Sequence, residues 1–310
     1  MRRKIAIFGA GNVGASLAQL IVFSGIADCA LVDVAPGVAE GKALDLSHAR
    51  PVYGSDVKVE GSVDASIIKG ADIVVITAGI TRKPGMSRDQ LLETNARIVG
   101  QCSESAKNFA PKSIIIVISN PLDAMTWLAA QKSGFDKKRV MGMAGVLDSS
   151  RFVSFLAAEL DASVKDIQAM VLGGHGDQMV PLLSCALWQG QPIEKLIPKD
   201  RLDKIIERTR NAGAEIVSLL NTSAFYSPAA GAFSMIKACF WDEKRLLPCS
   251  AFLDGEYGVK GLFIGVPVIL GKEGIEKVVE LELTASEKKD LEKSTAAVSG
   301  LIEMLKKMNI

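Results

Sequence analysis

Three glycines near the N-terminus constrain the fold of this chain more than any other feature. Gly9, Gly11 and Gly14 directly follow the apolar run Ile5–Phe8, and helical spacing of apolar residues begins at Val13. Between a strand and a helix, these glycines allow a tight turn, a close approach of a pyrophosphate to the backbone, and close helix–strand packing. The N–H groups at the start of such a helix bind the anion. The pattern therefore predicts a dinucleotide-binding turn.

Asp33 indicates which dinucleotide this turn binds. It follows the second apolar run and lies 19 residues beyond Gly14, close to the spacing of about 20 at which a carboxylate meets the ribose hydroxyls. The same carboxylate repels the additional phosphate of NADP, and no Arg or Lys adjoins it in the segment Leu31–Ala35. We therefore expect NAD rather than NADP.

The apolar runs of the first half are continuous rather than alternating, with helical patterns between them. They are Ile5–Phe8, Ala30–Val34, Ile73–Ala78, Ile114–Ile118 and Val140–Met143. Continuous runs fit strands that are buried on both faces. The β-α-β-α order predicts a doubly wound parallel sheet of the Rossmann type. We assign residues 1–145 to this NAD-binding domain.

The pattern changes after about residue 145. The helical patterns are Ser149–Leu160, Arg201–Leu220, Ala229–Ala238 and Ser286–Met308. Two strand-like runs, Leu247–Phe252 and Gly261–Leu270, flank a predicted hairpin turn at 254–258. This order predicts a mixed α+β substrate domain over residues 146–310. No linker rich in Pro or Ser separates the halves, so we expect them to share a broad interface.

Composition argues against several classes of protein. The chain has 36 Lys and Arg against 35 Asp and Glu, so its net charge gives no sign of nucleic acid binding. No segment approaches the roughly 18 apolar residues that span a bilayer, so we expect no membrane association. The five cysteines are widely spaced and form no Cys/His cluster. We therefore expect reduced thiols in a cytoplasmic protein and no metal site.

Only two histidines occur, His48 and His175. Glycines flank His175 on both sides in the segment Gly173–Asp177, which leaves the imidazole approachable and favours a general base. Such a base needs an orienting carboxylate, and Asp148 and Asp177 are both candidates. His48 lies between the second and third strands without a nearby partner, so we interpret it as a structural or surface residue.

Polar residues also follow two of the predicted strands. Arg82 and Arg88 lie after the run Ile73–Ala78, at the carboxyl end of the sheet, where open α/β sheets bind ligands. Their spacing favours capture of an anion, and a solvated basic loop is the alternative. Asn120 follows the next strand, and its amide could bond the cofactor, the substrate or the catalytic histidine.

Five motifs, taken in this order and spacing, resemble the lactate/malate dehydrogenase family across essentially the whole chain. They are GAGNVG (9–14), ITRKPGMSR (80–88), ISNPLD (118–123), GVLDSSRF (145–152) and GGHGD (173–177). The resemblance implies an oxidoreductase that transfers a hydride between a small hydroxy acid and NAD. It also implies a homodimer or homotetramer.

The resemblance implies roles for single residues as well. His175 would accept the substrate proton, with Asp148 as its partner. Arg151 would hold the C1 carboxylate in a bidentate fork, and Arg88 would polarise the C2 oxygen. Asn120 would contact both substrate and cofactor. NAD would be contacted by Gly9, Ala10, Gly11, Asn12, Val13, Gly14, Asp33, Asn95, Ile118, Ser119 and Asn120.

Arg82 decides the expected substrate. Lactate dehydrogenases usually carry Gln six positions before the catalytic arginine, and here Arg82 stands six positions before Arg88. A second substrate carboxylate in a closed pocket needs a counter-charge, which Arg82 would supply. The expected reaction is therefore the oxidation of (S)-malate to oxaloacetate, and lactate oxidation is the nearest alternative. Two further alternatives stay open: a hydrolase related to the NAD-dependent glycosidases, and a noncatalytic NAD-binding module.

Overall fold

The computed structural model describes residues 2–81, 85 and 87–308, and these residues form two β-sheets and eight α-helices. The strands are β1 (Lys4–Phe8), β2 (Asp28–Val32), β3 (Val59–Ser62), β4 (Ile73–Ile76), β5 (Ile114–Val117), β6 (Val140–Gly142), β7 (Ile167–Leu172), β8 (Val180–Trp188), β9 (Gln191–Pro192), β10 (Arg245–Asp254), β11 (Lys260–Gly271) and β12 (Gly274–Val278). The helices are α1 (Asn12–Ser24), α2 (Val38–Tyr53), α3 (Arg88–Phe109), α4 (Leu122–Ser133), α5 (Gly145–Leu160), α6 (Lys199–Leu220), α7 (Tyr226–Phe240) and α8 (Ala285–Lys307).

Six parallel strands make up one side of the larger sheet, in the order β6-β5-β4-β1-β2-β3, with β3 at its edge. The strand order reverses between β1 and β4, and a reversal of this kind opens a crevice for a ligand at the carboxyl ends of the strands. β4 and β5 are buried along their whole length, because helices cover both faces of the sheet. The predicted doubly wound parallel sheet is therefore confirmed.

The second half of the chain extends this sheet and also builds a sheet of its own. β10 pairs antiparallel with β6, and β11 and β12 follow, which gives a sheet of nine strands. β7, β8 and β9 form the separate antiparallel sheet. Gly173 and Gly265 exchange main-chain hydrogen bonds of 2.8 and 3.1 Å and so join the two sheets. This junction lies two residues before His175.

The start of α5 differs from the sequence prediction. The pattern Ser149–Leu160 predicted a start at Ser149, but the helix begins at Gly145. Only glycine fits there, since a Cβ at this position would lie 2.6 Å from the main-chain oxygen of Val171. Asp148 therefore lies within the first turn of the helix. Its carboxylate does not cap the helix and bonds to side chains of the cleft instead.

One apolar core runs through both halves of the chain, from Ile5 and Leu31 in the first to Cys249 and Phe263 in the second. A smaller cluster packs α5 and α6 against the second sheet. Among the described residues, no helix combines the length and apolar character that a membrane span requires.

Candidate active site

A cleft of about 410 Å³ lies at the carboxyl ends of β4 and β5. Thr77 and Gly79 line it from the segment after β4, and Ser119 and Asn120 from the segment after β5. α5, α6 and the loop around His175 form the opposite wall. The cleft therefore joins the sheet of the first half to the functional motifs of the second.

His175 and Asp148 form a hydrogen-bonded pair at this wall. The Nδ1 atom of His175 lies 2.7 Å from Oδ2 of Asp148, and Asp148 is only 1% exposed. A carboxylate can only accept, so Nδ1 carries the hydrogen and Nε2 keeps a free lone pair. Of the two candidate carboxylates, Asp148 is therefore the one that orients the imidazole. Asp177 lines the cleft and is exposed.

Several charges set the pKa of His175. Burial lowers this pKa, but the charge and hydrogen bond of Asp148 raise it, and so does the charge of Asp123. Arg151 acts in the opposite direction. The net result is a pKa above the ordinary value, because two carboxylates outweigh burial and a single guanidinium. The pair can therefore hold a proton on the imidazole.

Arg151 lies one turn further along α5, on the same face as Asp148. Its Nη1 donates to Oδ1 of Asp148 over 3.1 Å, and the side chain lines the cleft. Its Nε is buried and has no partner among the described residues. An unpaired donor of a buried guanidinium is costly unless an anion binds it. This end of the cleft is therefore suited to a carboxylate.

The predictions for the two arginines of the segment 80–88 compare differently with the structure. Arg82 lies outside the described residues. Arg88 is the first residue of α3, where Ser87 and Gln90 form a capping box, and it is exposed. It is not among the residues that line the cleft. The structure thus brings together His175, Asp148, Arg151 and Asn120 but does not bring Arg88 to them.

Asn95 ties together the two segments that follow β4 and β5. It is 1% exposed, its Oδ1 accepts the N–H of Ile80 at 2.8 Å, and its Nδ2 donates to the main-chain oxygen of Asn120 at 2.7 Å. These bonds occupy the amide that the resemblance assigned to NAD. Asn95 therefore links the two segments that line this side of the cleft, and Ser119 and Asn120 belong to the second of them.

The glycine turn fits a bound pyrophosphate. A Cβ on Gly14 would lie 1.9 Å from the main-chain oxygen of Gly9, and one on Gly9 would lie 2.7 Å from Oγ1 of Thr77. By contrast, a Cβ on Gly11 would meet nothing within 4 Å. Gly11 is also the N-cap of α1 and offers no side-chain capping bond. Open space above N–H groups without side-chain partners is what an anion needs at this position.

Asp33 contributes to the same turn in a way that spacing did not predict. Its Oδ2 accepts the N–H of Ala10 at 2.7 Å, and its Oδ1 accepts the N–H of Ala35 at 3.0 Å. A carboxylate has about four acceptor sites, so acceptors remain for ribose hydroxyls. The ammonium of Lys42 bonds to the main-chain oxygen of Ala10. Lys42 is nine residues from Asp33 in sequence, and no sequence signal linked the two.

Sequence reasoning also left Asp123 without a role. It is 4% exposed, its Oδ2 accepts the N–H of His175 at 2.8 Å, and its Oδ1 accepts the hydroxyl of Ser250 at 2.6 Å. The available signal was its place in the ISNPLD motif, three residues after Asn120. His48, interpreted as a bystander, is exposed on α2 and lies outside the lining of the cleft.

Two family models match the chain in sequence. One, described as the lactate/malate dehydrogenase NAD binding domain, matches residues 3–142. The other, described as the lactate/malate dehydrogenase alpha/beta C-terminal domain, matches residues 145–308. The malate dehydrogenase of Geobacillus kaustophilus is 52% identical over 307 residues, which cover 98% of each chain.

Solved structures give the same fold. The malate dehydrogenase of Cryptosporidium parvum superposes with a TM-score of 0.96 at 42% identity and covers 99% of this chain and 100% of its own. The lactate dehydrogenase of the same organism, in complex with lactic acid and NAD, has a TM-score of 0.95 at 42% identity over 99% of this chain and 98% of its own. With the glycine turn, the His175–Asp148 pair and both family models in agreement, the chain belongs to the lactate/malate dehydrogenase family.

Proposed function

We propose that the protein catalyses the reversible, NAD-dependent oxidation of (S)-malate to oxaloacetate. The observation that carries this proposal is the arrangement of His175, Asp148 and Arg151 on one wall of the cleft, opposite the segments that follow β4 and β5. A proton acceptor beside a guanidinium with a buried, unpartnered Nε suits a substrate with a hydroxyl next to a carboxylate. The names of relatives that are about half identical in sequence support malate as that substrate.

The residues divide the chemistry between them. Nε2 of His175 takes the proton of the C2 hydroxyl, and Asp148 stabilises the imidazolium that forms and keeps the ring in the correct tautomer. Arg151 holds the C1 carboxylate and so places C2 beside the imidazole. NAD supplies the acceptor for the hydride that leaves C2. The glycine turn and Asp33 would hold its pyrophosphate and ribose.

We propose that the substrate is a dicarboxylate on the basis of the motif ITRKPGMSR. Arg82 would pair with the second carboxylate, and Arg88 would polarise the C2 oxygen. Pyruvate would leave the Arg82 guanidinium without a counter-charge, so it is disfavoured by a penalty as well as by a missing attraction. The segment 82–84 lies outside the described residues, so this part of the proposal rests on the sequence.

We also propose the division of labour between the halves. Residues 1–145 would bind NAD, and residues 146–310 would supply the acid–base pair and Arg151. The two matched family regions meet between residues 142 and 145, which supports a boundary there.

We propose a homodimer or homotetramer because the surface exposes large apolar side chains. Large apolar side chains are exposed on α1 and α2, where Phe23 is 63% and Val52 85% exposed, and on α6, where Leu219 is 74% exposed. The rings of Phe23 and Tyr53 stack edge to face with centroids 5.2 Å apart, so this apolar surface is continuous between α1 and α2. Contiguous exposed apolar surface marks an interaction site. Light scattering after size-exclusion chromatography would give the oligomeric state.

The five cysteines are free thiols, which supports a cytoplasmic location.

Oxidation of NADH by the purified protein, with oxaloacetate and pyruvate compared at equal concentrations, tests the function. We expect kcat/KM to favour oxaloacetate, and His175→Asn to abolish turnover of both. A preference for pyruvate would instead establish a lactate dehydrogenase, the second candidate, which the lactate-bound neighbour of equal sequence identity favours. No turnover of either keto acid, with NADH binding retained, would leave only a binding module.

A further inference from the structure

Asp123 is a buried carboxylate behind the catalytic histidine. It lies in the first turn of α4 and is 4% exposed. Its two oxygens hold different partners: the main-chain N–H of His175 at 2.8 Å and the hydroxyl of Ser250 on β10 at 2.6 Å. Asp123 does not line the cleft. It can therefore act on the reaction only through another residue.

We propose that Asp123 is a positioning residue that fixes the main chain of the histidine loop and supplies a second negative charge to the imidazolium of His175. This proposal rests on the proposed function, since it concerns the same proton acceptor. Asp148 orients the ring from its Nδ1 side, and Asp123 holds the backbone from which the ring extends. The two carboxylates thus constrain His175 at both ends of the residue.

Hydrogen bonds also hold the two residues before His175. The N–H of Gly174 donates to Oγ of Ser294 on α8 at 2.8 Å, and Gly173 bonds to Gly265 of β11. A Cβ on Gly174 would lie 2.7 Å from a methyl of Val298 and 3.4 Å from Oδ2 of Asp123. The loop therefore has little freedom to move toward or away from α4.

Hydrogen bonds and the position in the helix favour the ionised form of Asp123, and burial opposes it. Burial raises the pKa of Asp123 above its ordinary value, and the charge of Asp148 adds to this rise, whereas the hydrogen bonds from Ser250 and the His175 N–H and the charge of a protonated His175 lower it. The first turn of a helix also favours a negative charge. The His175 N–H can only donate to Asp123, and the Ser250 hydroxyl donates to it when Asp123 is ionised.

The charged groups that face His175 come from several elements. Asp148 and Arg151 lie on α5 and Asp123 on α4, and all three act on its pKa. Asp177 and Arg210 line the same cleft from the histidine loop and α6. Arg210 donates to the main-chain oxygen of Met179 and lies 3.7 Å from Asp290. Among the carboxylates, Asp123 therefore has the second-largest effect on the pKa of His175, after Asp148.

Asp123→Asn tests the effect of the Asp123 charge on His175 while preserving the hydrogen bonds of Asp123. The amide oxygen can accept the His175 N–H, and the amide nitrogen can donate to Ser250, whose hydroxyl also accepts. Since only two histidines occur, a His48→Gln background leaves one imidazole to titrate by NMR. We expect the pKa of His175 to fall in the Asp123→Asn protein and to stay unchanged in Asp203→Asn, a control on the exposed side of α6. An unchanged pKa in Asp123→Asn would overturn the proposal.

Kinetics provide a second readout. In the Asp123→Asn protein, two limbs of the pH profiles of kcat/KM should move to lower pH. They are the alkaline limb for oxaloacetate reduction and the acid limb for malate oxidation. A merely structural role would lower the plateaus and leave both limbs in place. Asp123→Ala also removes the acceptor for the His175 N–H, and we expect its plateaus to fall about 100-fold, the usual cost of misplacing a reacting group by about 1 Å. Circular dichroism would show whether that variant is folded.

The two proposals fail in different ways. If the unsubstituted protein turns over neither keto acid, the proposed function fails, and the NMR titration still reports whether Asp123 acts on His175. If turnover is normal and Asp123→Asn leaves both the titration and the pH limbs in place, the proposed function stands and the role of Asp123 is wrong.

Discussion

The imidazole of His175 donates through Nδ1 to Oδ2 of Asp148 over 2.7 Å, while the other oxygen of Asp148 accepts from Arg151. One buried carboxylate therefore links the proposed proton acceptor to a guanidinium that lines the cleft. Asp148 and Arg151 are three residues apart on α5, so a single helical turn sets their geometry. The testable consequences follow from this linkage and from the glycine turn across the cleft.

Asp148→Asn should cost about 100-fold or more in kcat, since a neutral amide neither stabilises the imidazolium nor enforces the correct tautomer. Both directions of the reaction should suffer. NADH affinity, measured by fluorescence titration, serves as the control and should change little, because Asp148 bonds to His175 and Arg151 and not to the glycine turn. A variant with more than half of the original kcat would contradict the assigned pairing.

The pH dependence follows from the pKa of His175. Burial lowers it, but Asp148 and Asp123 more than offset this and raise it above the ordinary imidazole value. Reduction of oxaloacetate needs the protonated ring, so its rate should persist above the usual titration range of imidazole and then fall as the pH rises through the raised pKa. Oxidation of malate needs the neutral ring and should rise over the same interval. Initial rates between about pH 5 and 9 in both directions measure this, and a flat profile for reduction would rule out His175 as the proton carrier.

Arg82→Gln should change the substrate preference. Removing the proposed counter-charge should reduce kcat/KM for oxaloacetate by about 100-fold and raise that for pyruvate relative to it. Lys69→Gln, which removes an exposed positive charge elsewhere, is the matched control and should leave the ratio of the two substrates unchanged. If the ratio in Arg82→Gln equals that of the unsubstituted protein, the dicarboxylate argument fails.

Two alanine substitutions in the glycine turn should behave differently. Gly14→Ala places a methyl 1.9 Å from the main-chain oxygen of Gly9, so backbone must shift, and we expect a loss of about 1–3 kcal/mol in the free energy of unfolding. Gly11→Ala adds a methyl in open space and should leave stability nearly unchanged. It should still weaken NADH binding by about tenfold, because the methyl occupies the approach of the pyrophosphate. Thermal melts and NADH titrations distinguish these effects, and equal melting temperatures for the two variants would refute the packing argument.

Asp33→Ser should relax the preference for NAD. The substitution removes the charge that repels the 2′-phosphate of NADP, so the ratio of kcat/KM for NADPH to that for NADH should rise about tenfold. Activity with NADH should also fall, because Asp33 holds the N–H of Ala10. Lys42, bonded to the oxygen of Ala10, would supply a cation near the added phosphate, so adding Lys42→Met should reverse part of the gain. An unchanged ratio in Asp33→Ser would show that another group selects the cofactor.

The parts that sequence predicted well are those with local physical causes. Continuous apolar runs identified β1, β2, β4, β5 and β6, although β2, β4, β5 and β6 end one or two residues earlier than the runs. β8 was not predicted, because Pro181 interrupts its apolar run and half of the strand is partly exposed. β10 and β11 were predicted as strands, but no periodicity indicated that they would join the sheet of the first half through β6.

The sequence by itself determined the doubly wound sheet and the glycine turn, and it indicated His175 as the proton acceptor that we propose. Each depends on residue type and short-range spacing, such as a Cβ that Gly14 cannot carry or an imidazole between two glycines. Only the tertiary structure decided that Asp148 rather than Asp177 orients His175, and that Asp123, 52 residues away in the chain, holds the loop from behind. Burial and hydrogen bonds between distant segments leave no periodic signal in a single sequence, because they arise when helices pack against a common sheet.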